Sequence, residues 1–272
     1  MNAVLVINHF LKSEKYNALH SHLVKTAGEM NIDLKVKTNL ELATEKIQSD
    51  FVLFWDKDIN LAKRLELEGH RVFNSADSIE LCDDKAKTYL ALLDTVKQPK
   101  TLIAPKCYFK SDMSEFAEKA AAVLGLPLVF KECYGSFGEQ VYLCRTIDEI
   151  LSHVTEKPFI LQKFESSNAG KDIRIEVVGN TCVSAAMREN QNDFRSNVTN
   201  GGTMTPYKPT EKEIATAVSA CKKLGLTFGG VDIFLNGKVC EVNSNAHIIN
   251  IMNTNSIDIA PFIFKEITEK IL

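Results

Sequence analysis

Three features of the 272-residue sequence predict an α/β N-terminal unit, built on a small parallel sheet, joined to two α+β units. Apolar runs of strand length alternate with segments of helical period up to about Asp83, the pattern of parallel strands with helical crossovers. An extended segment from Pro127 to Lys131 runs into a glycine-bearing loop, Gly135 to Gly138. Near the C-terminus two alternating segments flank Asn236-Gly237, a strong short-range hairpin signal.

Taken in order, Ala3 to Ile7 reads as a buried first strand, and Leu19, Leu23, Ala27 and Met30 then recur every three or four positions, as on one face of a helix. Leu34 to Lys37 reads as a second strand, Leu40 to Ile47 as a helix, and Phe51 to Trp55, bounded by Asp50 and Asp56, as a third strand. Ile59 to Glu68 predicts a helix stopped by Gly69; Arg71 to Phe73 resumes extended structure before a turn at Asn74-Ser75-Ala76-Asp77. The first domain therefore covers residues 1–83. A second, 84–163, is expected to hold a helix from Asp84 to about Val96, an extended piece at Thr101 to Ala104, a helix from Ser114 to Leu124, and strands at Pro127 to Lys131, Val141 to Cys144 and Phe159 to Lys163. The third, 164–272, holds strands at Ile173 to Val178 and Cys182 to Met187, a helix at Glu211 to Leu224, a closing strand pair at Val231 to Leu235 and Lys238 to Val242, and one final helix.

Composition narrows the function classes. With 45% hydrophobic and 25% charged residues the chain can build sizeable cores without staples. A formal net charge of −3, with no run of five basic residues, offers no footprint for a polyanion and excludes nucleic acid as a main partner. No stretch approaches the roughly 18 apolar residues that span a bilayer, so no membrane partner is expected. Seven cysteines, at 82, 107, 133, 144, 182, 221 and 240, form no C-x-x-C pair, and no secretory signal opens the chain. Reduced thiols in the cytoplasm, acting as small buried hydrophobes, are the expectation.

Chemistry concentrates in three places. Strand alternation puts Glu241 and Asn243 on one face, with Asp232 able to sit across from them. Two carboxylates and an amide oxygen make a hard oxygen cluster suited to Mg²⁺, although any half-solvated sheet shows the same alternation. Lys131 ahead of Gly135-Ser136-Phe137-Gly138 reads either as a phosphate cradle or as a plain hairpin turn, since the spacing fits neither the Walker loop nor the dinucleotide fingerprint. Arg174 and Arg188 lie at strand ends and Arg195 in an apparent loop; each is a candidate for bidentate carboxylate or phosphate recognition, or a solvated surface residue. His9, His20, His22, His70 and His153 sit in no metal-ligand spacing, while His247, near the carboxylates, is a candidate either for substrate contact or for a loop position.

In their order along the chain, Asp84-Lys85, Val129-Phe130-Lys131, Gly135-Ser136-Phe137-Gly138, Gln162-Lys163-Phe164, Asp172-Ile173-Arg174, Phe194-Arg195-Ser196-Asn197, Gly201-Gly202, Gly230-Val231-Asp232-Ile233 and Glu241-Val242-Asn243 closely resemble the RimK-type glutamate ligases of the ATP-grasp superfamily. The resemblance runs from about Asn74 to the C-terminus. It implies an ATP-grasp fold in which ATP lies between the second and third domains and the N-terminal sheet completes the substrate cleft. By position, Lys85 and Lys131 hold the nucleotide phosphates, Gly135, Ser136, Phe137 and Gly138 close over them, Gln162, Lys163 and Phe164 line the adenine, and Asp172 faces the ribose. Asp232, Glu241 and Asn243 are implied as ligands of Mg²⁺, with Mn²⁺ as a substitute, leaving Arg174, Arg188, Arg195 and Asn197 for the carboxylate and the transferred phosphoryl group.

The implied activity is ATP-dependent ligation of a carboxylate, on a peptide, carrier protein or metabolite, to an amine such as an amino acid, through an acyl-phosphate. A small-molecule kinase on the same scaffold and a non-catalytic nucleotide-binding module are the alternatives, and homo-oligomerisation is left open. Three departures stand out: Glu139-Gln140-Val141 where relatives carry a further glycine, Lys163 where glutamate is common, and Ser244-Asn245-Ala246-His247 in place of a proline–glycine turn. That turn borders the acceptor site, so glutamate is not implied as the amine. Replacing Asp232 or Glu241 by alanine is expected to abolish turnover without unfolding the chain.

Overall fold

The computed structural model describes every residue except Lys12, 107–111, Ser136, Phe137 and 199–200. Cys107 and two members of the expected phosphate loop, Ser136 and Phe137, therefore lie outside the described residues. In the N-terminal region β1 (Asn2–Ile7), α1 (Glu14–Glu29), β2 (Asp33–Thr38), α2 (Asn39–Leu42), β3 (Phe51–Phe54), α3 (Ile59–Leu67) and β4 (Val72–Phe73) build a parallel sheet in the order β2-β1-β3-β4. Alternation along β1 divides the interior: Ala3 and Leu5 face α1, where Leu19, Leu23 and Ala27 are buried, while Val4 and Val6 face α3. Two expectations change here. The helix expected over Leu40 to Ile47 ends at Leu42 after a start fixed by a Thr38/Glu41 capping box. Asn74 to Asp77 is not a turn but the start of α4 (Ala76–Asp83), because the Ser75 side chain accepts from Ser78 N as an N-cap.

After α5 (Lys85–Leu92), the elements β5 (Thr101–Ile103), α6 (Ser114–Leu124), β6 (Leu128–Glu132), β7 (Val141–Cys144), α7 (Ile147–His153) and β8 (Phe159–Lys163) form an antiparallel sheet in the order β5-β8-β6-β7. Leu128, Phe130, Phe159 and Leu161 pack on α6 and α7. Val129, Lys131 and Gln162 consequently face the other way. Helix α7, capped by Thr146, was not anticipated.

The C-terminal region comprises β9 (Lys171–Val178), β10 (Thr181–Glu189), β11 (Thr203–Pro206), α8 (Glu211–Lys223), β12 (Phe228–Ile233), β13 (Val239–Asn243), α9 (Ile249–Asn255) and α10 (Ala260–Ile271), with a five-stranded sheet ordered β11-β10-β9-β12-β13. Its apolar face, with Ile173, Ile175, Val177, Val231, Ile233 and Val242, covers Ala217, Ala220 and Cys221 of α8. The single final helix of the sequence reading is two helices, separated at Ser256, which takes a left-handed conformation with φ 54°. Ile263, Phe264 and Ile267 of α10 return to the core beneath β1 and β3. Asn74 fastens the N-terminal region to this sheet: its amide donates to Phe228 O at 2.8 Å and Ser244 O at 2.7 Å and accepts from Thr227 N at 2.7 Å. Among the described residues no helix is long and apolar enough to cross a membrane.

Candidate active site

A cleft of about 820 Å³ lies between the central and C-terminal sheets. Lys131 enters it from β6, 8% exposed, with Cys240 Sγ at 4.0 Å as its polar neighbour. Burial pushes the Cys240 thiol up to about 12, so it stays protonated beside the lysine. Lys85 stands at the start of α5, where its ammonium donates to Gly135 O at 3.3 Å and lies 3.7 Å from Glu241 Oε1. Gln162, Lys163 and Phe164, at the end of β8, line the same cleft; the Gln162 amide donates to Thr101 Oγ1 at 2.9 Å. Arg195 is gripped by Asp193 and donates to Gly138 O, which ties the glycine loop to the C-terminal region.

The polar face of the C-terminal sheet owes its chemistry to register. Pairing sets Arg174 beside Asp232, Asp232 opposite Glu241, Gly230 opposite Asn243, and Asp172 opposite Arg188. Arg174 holds both Asp232 oxygens, through Nε and through Nη2 at 2.9 Å. Arg188 bonds both Asp172 oxygens at 2.7 Å and also reaches Asp232 Oδ2 at 2.9 Å. Ser196 Oγ donates to Asp172 as well. Burial alone would raise the Asp232 pKa, but the two guanidinium groups outweigh it and hold this carboxyl below its ordinary range. Asp172 thus borders this first cleft with both oxygens engaged by Arg188 and Ser196.

A second, wider cleft of about 1500 Å³ opens between the N-terminal and C-terminal sheets. Arg174, Arg188 and Asn243 form one wall; Asn8, Lys15, Tyr16 and Asp56 form the other. Gly135, Asn197 and Glu241 line both clefts. His247 stands at the rim, where Nε2 bonds Lys15 O at 3.1 Å; a carbonyl only accepts, so Nε2 carries the proton.

A family model, described as the RimK-like ATP-grasp domain, matches residues 82–267, which takes in both clefts' C-terminal and central walls. The chain belongs to the RimK-like ATP-grasp family. An uncharacterised protein of Mycoplasma pneumoniae is 32% identical over 248 residues, 84% of this chain and 86% of its own length. A probable alpha-L-glutamate ligase of Maridesulfovibrio salexigens is 31% identical over 210 residues, 74% of this chain and 68% of its own. The crystal structure of a D-cycloserine synthetase superposes with a TM-score of 0.80 over 100% of both chains at 15% identity, a likeness of fold. As a member of this family the chain is an ATP-grasp ligase, an ATP-dependent enzyme that joins carboxylates to amines.

Within this ATP-grasp frame the donor set at the closing hairpin fits a hard divalent cation. Asp232, Glu241 and Asn243 offer oxygens on one face of two paired strands. Asn243 Nδ2 is buried without a hydrogen-bond partner, and turning the amide would place its oxygen there instead. Arg174 and Arg188 balance Asp172 and Asp232 in charge, and burial raises the Glu176 pKa toward its neutral form, so the carboxylate left to attract a cation is Glu241, 3.7 Å from Lys85.

Sequence reasoning missed Asn8, Lys15, Tyr16, Asp56 and Glu176. A signal existed for two of them. Asn8 follows β1 and Asp56 follows β3, and in the order β2-β1-β3-β4 the chain reverses direction between β1 and β3. Ligands in open parallel sheets sit outside the carboxyl ends at such a switch point. There Asn8 Nδ2 donates to Asp56 Oδ1 at 3.0 Å, and burial raises the Asp56 pKa despite that bond.

Proposed function

We propose that this ligase activates a carboxylate as an acyl-phosphate where its two clefts meet and then joins it to an amine, an amino acid or another primary amine. The observation that carries this reading is the shared wall: Gly135, Asn197 and Glu241 border both clefts, so a γ-phosphoryl group entering from one side meets a carboxylate entering from the other. In this reading Lys85 and Lys131 bind the phosphates, the loop from Gly135 to Gly138 covers them, and Gln162, Lys163 and Phe164 line the adenine. Asp172 stands at the ribose end of the cleft and anchors Arg188. Asp232, Glu241 and Asn243 would hold Mg²⁺, or Mn²⁺ in its place, which when bound neutralises phosphate oxygens. The acceptor carboxylate is carried by a peptide, a carrier protein or a metabolite.

A carboxylate is a poor electrophile. One of its oxygens therefore attacks the γ-phosphorus, the bond to the β-phosphate oxygen breaks, and ADP leaves. Arg174, Arg188 and Arg195 orient the anionic oxygens, and Asn197 adds an amide at the shared wall. The amine nitrogen then attacks the acyl carbon, phosphate departs with the bonding electrons, and the amine loses a proton. Acyl-phosphates hydrolyse, so water must be excluded; Arg195, bonded to Gly138 O, fastens the loop that would do so.

The test is ADP release from Mg-ATP over a panel of amino acids and acidic peptides, followed by the mass of the product. The expected result is release that needs both a carboxylate and an amine, with a product equal to their sum less one water. Release that proceeds with no amine, yielding a phosphorylated product, would replace ligation by a kinase reaction on the same scaffold.

A further inference from the structure

Gly230 leaves a gap on the polar face of the C-terminal sheet. A Cβ there would stand 2.8 Å from the Ala246 methyl and 3.0 Å from Glu176 Oε1, so only hydrogen fits. Two residues earlier on the same strand, Phe228 carries the stacked ring of Trp55 from the N-terminal region, with centroids 5.2 Å apart and 15° between planes. Trp55, Glu176, Phe228 and Ala246 border one small cavity between the two regions, with room for about one water molecule.

Two buried polar atoms at this place have no hydrogen-bond partner: the Trp55 indole nitrogen, a donor, and Glu176 Oε1, an acceptor. Their residues are 5% and 3% exposed. An unpaired buried group costs about 1–3 kcal/mol, and nearly all such groups find a partner. They form no direct bond to each other, yet one water can accept from the first and donate to the second. The same Glu176 Oε1 forms an ion pair with Arg174 Nη1 at 3.5 Å without a hydrogen bond, while Arg174 grips Asp232 through Nε and Nη2. The carboxylate therefore flanks the guanidinium on the side away from Asp232.

We propose that this cavity binds one ordered water molecule, which accepts from Trp55 Nε1–H and donates to Glu176 Oε1, and that Glu176, so held, is a positioning residue for Arg174. The N-terminal sheet is then linked to the phosphoryl-transfer site through a chain of Trp55, water, Glu176, Arg174 and Asp232. The water site stands on the two unpaired atoms and their cavity; only the consequence for turnover rests on the ligase reading above.

Trp55 is the single tryptophan of the chain, so nitrogen-15-labelled protein gives one indole N–H resonance. The expected spectrum shows cross-relaxation between that proton and a long-lived water, lost in Glu176→Leu and kept in Glu176→Gln, whose amide oxygen still accepts. A wild-type indole proton with no water contact, or an indole resonance indifferent to Glu176→Leu, overturns the site. Should Glu176→Leu fail to fold, a urea-unfolding cycle of Trp55→Phe and Glu176→Ala, each of which removes one end of the bridge, followed by circular dichroism, decides: the bridge requires the double variant to lose less than the sum of the singles, and strict additivity refutes it. For the positioning role, Glu176→Leu should lower kcat by about tenfold with the KM for ATP unchanged, and Glu176→Gln should recover part of the loss. An equal rise in KM would mean general structural damage instead. If wild-type protein releases no ADP, the ligase reading fails while the indole spectrum still judges the water site.

Discussion

On the central sheet Lys131 reaches the first cleft with no carboxylate beside it among the described residues, whereas on the C-terminal sheet Arg174 and Arg188 are locked between Asp172, Glu176 and Asp232. The two walls differ in what they can offer an incoming anion. An ammonium without a counter-charge gains its partner when phosphate arrives; a guanidinium already paired with aspartate must share or exchange it. The C-terminal wall is thus rigid and charge-compensated, suited to fixing geometry. The central wall supplies the uncompensated attraction, together with a loop that Arg195 fastens at Gly138. In the proposed reaction such a division would let one side set the angle of attack while the other draws in the nucleotide.

The largest test of this contrast is Asp232→Ala. It strands two buried guanidinium groups, so beyond the loss of turnover it should cost about 3–5 kcal/mol in urea unfolding. This revises the expectation from sequence that Asp232 could be removed with the fold untouched: the side chain is 3% exposed and carries bonds from both arginines. Glu241→Ala should likewise stop turnover but cost less than about 1 kcal/mol, because its carboxylate is 34% exposed and its one ion pair among the described residues, to Lys85, is 3.7 Å long. Equal stability losses in the two variants would erase the distinction between a compensated network and an open ligand.

Lys131→Met probes the opposite wall. Removing an ammonium that has no carboxylate partner should leave unfolding nearly unchanged and weaken Mg-ATP binding in calorimetry about tenfold, or roughly 1.4 kcal/mol. Unaltered affinity would take Lys131 out of the phosphate site and leave that work to Lys85.

The contrast also explains what could be read beforehand. The closing hairpin was visible because it is local: strand alternation and the Asn236-Gly237 turn bring Asp232, Glu241 and Asn243 together, with Gly237 at φ +80° and Phe234 N bonded to Lys238 O. The arginine–aspartate network was not visible. Arg174 meets Asp232 across 58 residues and Arg188 meets Asp172 across 16, contacts set by the register of β9 with β10 and β12, which no short window encodes. Asn8 and Asp56 needed the strand order. Helix α4 was lost for a chemical reason: serine and aspartate favour turns and helix caps by the same side-chain bonds, and at Ser75 the cap prevailed.

The smallest expected effect lies at the rim of the second cleft and carries the comparison to a group that titrates. The His247 ring is edge-on to Tyr16 at 5.5 Å, and burial, aided slightly by Lys15 and His20, pushes its pKa down, while bonds to the Lys15 and His247 backbones oppose that shift. The folded protein therefore holds this ring neutral below the ordinary value of about 6.5. A group whose folded pKa is depressed contributes stability that is complete above its unfolded pKa and is lost as pH falls through that value toward the folded one. Burial depresses His20 in the same direction, so part of the acid sensitivity will survive any single change. Wild-type protein should unfold at lower urea at pH 5.5 than at pH 7.5, and His247→Gln, which keeps a donor for Lys15 O, should lose less over that interval. An identical loss in both proteins would mean that His247 reaches solvent freely, and that the second cleft is open at its rim and not walled by the contact between α1 and the turn after β13.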